Sequence, residues 1–112
     1  MNIKEIKSLY PFHDAKLNQI VLKENNLEIV IHFCEWQIEY LKENNKYIKG
    51  IKLTFEKIKN FKTEIQLESV KNLPILEFKS QKNQLEFILD IANLYPVIKF
   101  NSSNISCEEI PL

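Results

Sequence analysis

The chain contains no arginine, although 15 of its 112 residues are basic and 15 are acidic. Arginine is the residue best suited to bidentate contacts with phosphates and bases, and binding to nucleic acid also needs surplus positive charge. Because every basic residue is lysine and the formal net charge is zero, we expect no nucleic-acid partner. The same charge balance offers no attraction to an anionic membrane surface, so we expect no membrane partner either.

Glycine and cysteine are almost as scarce. Gly50 is the single glycine, and a loop that cradles a phosphate needs several residues without side chains, so mononucleotide and dinucleotide folds of that kind are excluded. Cys34 and Cys107 are too few for a disulfide framework. The N-terminal "MNIKEIKSLYP" shows no apolar signal-peptide core, and no apolar run approaches the roughly 20 residues of a membrane-spanning helix. These absences predict a cytoplasmic protein with free thiols.

What the chain has is 45% apolar residues, which for this length predicts one globular domain over residues 1–112. Ile3 and Ile6 have near-helical spacing, which predicts a short helix over residues 2–9 that ends before Pro11.

Most of the remaining sequence alternates apolar and polar residues with the period of a strand. A hairpin is predicted over residues 17–33, where two asparagines suit the turn, and a second over residues 75–91. Further strands are expected at "YIKGIKLTF", at "FKTEIQLES", which is the clearest alternation, and on both sides of "NSSN". About eight short antiparallel strands predict an all-β sandwich or a partly closed barrel.

The apolar phase jumps by one residue between Phe33 and Cys34. Such a jump within an extended run is typical of a β-bulge, so we predict a long, bent strand through "CEWQIEYL". A loop or helical turn beginning at Glu35 is the alternative.

His13 and Asp14 form the pair most suggestive of chemistry. Metal-dependent phosphohydrolases with such a pair need further ligands from several helices, and His32 is the one other histidine. Asp before a strand readily accepts backbone N–H bonds, so we expect a structural turn. A metal or nucleophile site using His13, Asp14, His32 and Cys34 lacks a complete ligand set and an orienting third residue. We therefore expect no cofactor, no metal and no enzymatic activity.

The aromatic stretch after Phe33 indicates a protein-binding surface. Trp36, Glu39, Tyr40 and Tyr47 combine large rings with acidic neighbours, and Trp and Tyr are common anchors of protein interfaces. We predict that these residues contact a partner protein. The alternative is that Trp36 packs over the core.

The segments "FHDAKLNQIVLKENNLEIVIHF", "GIKLTF" and "VIKFNSSNISCEEI" resemble a group of small bacterial all-β proteins with an "FHD" start. Some similar proteins are immunity proteins of toxin systems. The resemblance supplies no catalytic residues and implies that the FHD segment is a fold feature. We therefore expect a non-enzymatic protein-binding module, with neutralisation of a bacterial toxin as its most concrete form. The alternatives are a small ligand-binding barrel or enzyme around His13, Asp14, His32 and Cys34, and a homodimer paired through edge strands.

Overall fold

The computed structural model describes residues 2–112, which form eight strands and two short helices. The helices are α1 (Ile3–Leu9) and α2 (Glu35–Glu43), and a short 3-10 helix covers Leu67–Ser69. The strands are β1 (Lys16–Lys23), β2 (Asn26–His32), β3 (Ile48–Glu56), β4 (Lys59–Thr63), β5 (Leu73–Gln81), β6 (Gln84–Leu89), β7 (Val97–Asn101) and β8 (Asn104–Pro111). The predicted antiparallel β class, the strand number and the N-terminal helix are confirmed. Neither helix has the length and apolar character needed to cross a membrane.

All eight strands belong to one antiparallel sheet with the order β4-β7-β6-β5-β1-β2-β3-β8. Its end strands β4 and β8 do not pair with each other, so the sheet does not close into a complete barrel. The joint between β1 and β5 is weak, with only Lys16↔Pro74 and Leu17↔Leu73 in register. The sheet therefore divides into a first half (β1, β2, β3, β8) and a second half (β4, β5, β6, β7).

The two halves pack face to face as a sandwich. Phe55 of β3 meets Phe100 of β7 with ring centroids 4.9 Å apart, although β6, β5, β1 and β2 lie between those strands in the sheet. The sheet therefore curves so that its two halves face each other across the core. The inward-facing residues form one core cluster, whose largest fully buried members are Phe55, Phe87, Phe100, Ile6, Leu17, Leu27, Ile29, Ile31, Leu41, Ile51, Leu53 and Ile75.

The single glycine marks the closest approach within the first half. A Cβ atom on Gly50 would overlap the carbonyl oxygen of Ile31 and would lie 3.1 Å from Cδ2 of His32. Gly50 pairs with His32 across β2 and β3. No side chain fits this position, which accounts for glycine in a strand where it would otherwise be unfavourable.

The predicted bent strand through "CEWQIEYL" is wrong, because residues 35–43 form α2. Gln37 and Leu41 are buried, whereas Trp36 and Tyr40 are exposed. Residues four apart share one face of a helix. Gln37 also accepts the backbone N–H of Cys34 with Oε1 at 2.8 Å, which satisfies a free donor at the helix start.

The predicted strand at "FKTEIQLES" is correct only in its first residues, because β4 ends at Thr63. The hydroxyl oxygen of Thr63 accepts the N–H of Ile65 at 3.1 Å and donates to its carbonyl oxygen at 2.6 Å. These local bonds turn the chain out of the sheet.

Candidate functional site

An open groove of about 680 Å³ runs along the outer side of α2. We call it the α2 groove, and its lining residues are Cys34, Glu35, Trp36, Glu39, Tyr40 and Glu43. Trp36 is 53% exposed and Tyr40 is 50% exposed, so both rings present much of their surface to solvent. These two half-exposed aromatic rings are the main apolar feature of the α2 groove.

Helical geometry arranges the groove as two parallel rows. Trp36 and Tyr40 are four residues apart and form an aromatic row, while glutamates at positions 35, 39 and 43 form an acidic row beside it. Glu39 forms an ion pair with Lys42 at 3.2 Å. Within residues 2–112, Glu35 and Glu43 are in no ion pair.

The position of Glu43 is electrostatically unfavourable for the isolated helix. It lies in the last turn of α2, where the negative end of the helix dipole disfavours a carboxylate. Nothing in the described chain offsets that charge with a cation at ion-pair distance. The groove therefore carries negative charge that a cationic partner surface would neutralise.

A buried glutamine holds α2 in place. The Gln37 side chain is fully buried, and its Nε2 donates to the carbonyl oxygens of His13 at 2.7 Å and Pro11 at 3.3 Å. Leu41, one turn later, is also buried in the core. These contacts attach α2 to the segment before β1, so the groove is carried on a well-anchored helix.

His13 and Asp14 have the contacts of a structural turn. The His13 ring lies with Nδ1 2.7 Å from the carbonyl oxygen of Leu76. Asp14 has φ of 73° and donates its N–H to the carbonyl oxygen of Ile75 at 3.0 Å. The segment thereby joins the start of β1 to β5, and Asp is one of the few residue types that tolerate positive φ. The ring of His13 and the carboxylate of Asp14 are exposed and 3.5 Å apart.

The other residues of the alternative catalytic set have separate positions. His32 ends β2 opposite Gly50, and Cys34 immediately precedes α2 and lines its groove. Both cysteines are free, and burial raises the pKa of the Cys107 thiol. Across residues 2–112, no three His, Cys, Asp or Glu side chains are grouped so that they could hold a metal ion.

Of the predicted partner-binding residues, the structure brings three together. Trp36, Glu39 and Tyr40 line the α2 groove, whereas Tyr47 does not. Tyr47 is 59% exposed and follows the turn after α2, where its carbonyl oxygen accepts the N–H of Leu112 at 3.3 Å. The prediction omitted Glu35 and Glu43, although their spacing of four from Glu39 is the signal that places them in one row of a helix.

A charged cluster ties the N-terminal segment to the last strand. The Tyr10 hydroxyl donates to Oε2 of Glu109 at 2.6 Å, and Nζ of Lys46 lies 2.9 Å from the same oxygen. Burial, and then this hydrogen bond, raise the pKa of Tyr10. The hydrogen bonds from Tyr10 and Lys46 lower the pKa of Glu109. All members are paired at neutral pH, which indicates a structural role.

Three comparisons with known proteins, made against protein-family models, curated proteins and solved structures, found no match to this chain. The resemblance to proteins with an "FHD" start stays a prediction. The α2 groove is therefore interpreted from its own residues.

Proposed function

We propose that this chain is a non-enzymatic protein-binding module that holds its partner in the α2 groove. The observation that carries the proposal is the pair of half-exposed rings, Trp36 and Tyr40, on one face of an anchored helix. Trp and Tyr are enriched among the few residues that dominate the binding energy of protein interfaces. Each supplies a large contact area with only a few rotatable bonds to immobilise.

The anchoring of α2 favours binding further. Gln37 and Leu41 fix the helix to the core and to the segment before β1. A helix that is already ordered loses little conformational freedom when a partner arrives, so more of the contact energy appears as affinity.

The acidic row specifies the chemistry of the partner surface. The carboxylates of Glu35 and Glu43 are free to meet lysine or arginine side chains, which would also lie close to the faces of Trp36 and Tyr40. Complementary charge speeds encounter and excludes partners with an acidic contact surface. We therefore propose a partner whose contact surface is basic with an apolar centre.

The most concrete form of the proposal is an immunity-type protein that neutralises a bacterial toxin. Such a protein needs a stable scaffold and a complementary surface rather than a catalytic centre. The sandwich core supplies the scaffold, and the α2 groove supplies the surface.

The proposal takes the protein encoded by the gene directly upstream as the candidate toxin. The test is co-expression with that protein, with cell growth as the readout. We expect the wild-type chain to restore growth, and the double variant Trp36→Ala/Tyr40→Ala to fail while remaining folded by circular dichroism. Tyr95→Ala is the matched control, since Tyr95 is 53% exposed and lies outside the groove. Rescue by the groove variant would contradict the proposal.

A further inference from the structure

Four turns meet at the end of the sandwich opposite α2, two of which close the β1–β2 and β5–β6 hairpins. The turn after β3 is bound to the turn between β1 and β2, because Ile58 donates its N–H to the carbonyl oxygen of Asn25 at 2.8 Å. The turn after β7 is bound to the turn between β5 and β6, because Ser102 donates its N–H to the carbonyl oxygen of Asn83 at 2.9 Å. The buried hydroxyl of Ser102 links the two pairs by donating to the carbonyl oxygen of Glu56 at 2.9 Å.

A polar cleft of about 230 Å³ lies among these turns. We call it the turn cleft, and its lining residues are Lys57, Lys59, Asn60, Asn83, Asn101, Ser102 and Ser103. None of them is acidic or apolar. Each of four other surface clefts of the described chain is lined by at least one glutamate.

The two lysines of the turn cleft are not neutralised by the protein. Within the part of the chain that the structure describes, neither Lys57 nor Lys59 is in an ion pair. Two like charges that line one cleft repel each other, and an anion bound between them would relieve that repulsion.

Hydrogen-bond donors accompany the two charges. The Asn60 amide makes only a long contact of 3.4 Å to Oδ1 of Asn101. Asn83 and Ser103 also line the cleft, and their side chains carry an amide and a hydroxyl donor. Amide and hydroxyl donors around paired lysines are suited to anion oxygens and poorly suited to a cation.

The backbone at this cleft is also unusual. Lys57 has φ of 52° and Asn60 has φ of 56°. Asparagine tolerates such values, whereas a lysine there is uncommon and unfavourable. Positive φ also occurs at other turns of the described chain, including Lys82, so it marks a tight turn at this cleft.

We propose that the turn cleft binds a tetrahedral oxyanion, namely a phosphate or sulfate group. The volume is below the about 300–1,000 Å³ of pockets for drug-sized molecules, so the ligand is a small anion or one phosphate group of a small molecule. The two lysines supply the positive charge, and the asparagine and serine donors complete the set. This site is independent of the α2 groove and of the function proposed for it.

The test is a titration of the isotopically labelled full chain with inorganic phosphate, followed by amide chemical shifts at constant ionic strength with chloride as the balancing salt. We expect saturable shifts confined to residues 57–60, 83 and 101–103. A parallel titration with glycerol 3-phosphate separates the two sources of the group. Tighter binding of the ester identifies a phosphomonoester as the ligand, and equal or weaker binding identifies the free anion.

Variants that each remove one lysine charge test whether the turn cleft itself binds the phosphate. Lys57→Gln and Lys59→Gln should each weaken phosphate binding by about tenfold or more, since each removes a charge-assisted hydrogen bond to the anion. Lys49→Gln is the matched control, because Lys49 is exposed and lies near the α2 end. Shifts that do not saturate, that spread to Lys49, or that are unchanged in both cleft variants would overturn the proposal.

Discussion

Replacing Trp36 with alanine tests whether Trp36 is a partner-binding residue or a core residue. An aromatic side chain buries about 150–250 Å² when fully covered, and Trp36 is 53% exposed. Roughly 100 Å² is therefore buried, which corresponds to about 2.5 kcal/mol at about 25 cal/mol per Å². This is an upper bound because the unfolded chain already covers some of that area, and the better helix propensity of alanine returns about 0.5 kcal/mol. We expect a loss of about 1–2 kcal/mol in the free energy of unfolding.

Binding should respond more strongly than stability. An aromatic anchor at the centre of an interface contributes about 2 kcal/mol or more, so Kd for the partner should rise by about thirtyfold or more. Stability is measured by urea denaturation with circular dichroism, because Trp36→Ala removes the one tryptophan. Affinity for the product of the upstream gene is measured by calorimetry on the same variant.

The control is Tyr95→Ala, which truncates a ring with the same exposed fraction outside the α2 groove. It should lower stability by a similar amount and leave Kd unchanged. A stability loss of about 3–5 kcal/mol for Trp36→Ala would show a core residue. An equal loss of affinity in Tyr95→Ala would show that the binding surface lies elsewhere.

Further substitutions test the turn, the helix anchor and the charged cluster. His13→Ala and Asp14→Ala should each lower the free energy of unfolding by about 0.5–2 kcal/mol and leave partner affinity unchanged, because they weaken a turn; urea denaturation and calorimetry check this. Gln37→Leu should cost about 3 kcal/mol in urea denaturation, because buried backbone groups lose their partners. Hydrogen bonds lower the pKa of Glu109, so its contribution is present above about pH 4.3, the ordinary carboxyl value, and is lost as pH falls through the lower folded value. Glu109→Gln should therefore flatten the acid side of the stability–pH curve.

Each of these has a contrary outcome. A bound metal found by elemental analysis, and lost in either turn variant while the fold persists, would contradict the structural role of His13 and Asp14. A Gln37→Leu variant as stable as an exposed Glu39→Ala variant would show that α2 is held by other contacts. If Glu109→Gln left the acid side of the stability–pH curve unchanged, the hydrogen bonds of Glu109 would not favour the folded state.

The hairpins were predictable from sequence because the signals are local. The period of two in "NLEIVIHF" and the asparagines before it determine β1, β2 and the turn between them without distant contacts. The packing of one half of the sheet against the other depends on Phe55 and Phe100, which lie on distant strands of the sheet. No local sequence pattern predicts such a contact, so the sequence alone could not distinguish a sandwich from a partly closed barrel.

Helix α2 was anticipated only as the alternative of a helical turn beginning at Glu35, because its sequence fits two periods at once. Apolar residues at positions 34, 36, 38 and 40 alternate as in a strand, while the spacing of Gln37 and Leu41 fits a helix. The helix is favoured over the strand by hydrogen bonds from Gln37 to the carbonyl oxygens of Pro11 and His13, which are far away in sequence. Trp36 and Tyr40 share a face in the helix as they would in a strand, since residues four apart share a face in both elements.

The most direct test of the α2 groove as a partner-binding surface uses the fluorescence of Trp36, the one tryptophan of the chain. The product of the upstream gene, in a variant without tryptophan, is titrated into the wild-type chain while emission and iodide quenching are recorded. We predict a saturable blue shift and strong protection from iodide, because the partner covers a ring that is 53% exposed in the free protein. Binding detected by calorimetry with no change in Trp36 emission or quenching, or no binding at all, would contradict the claim.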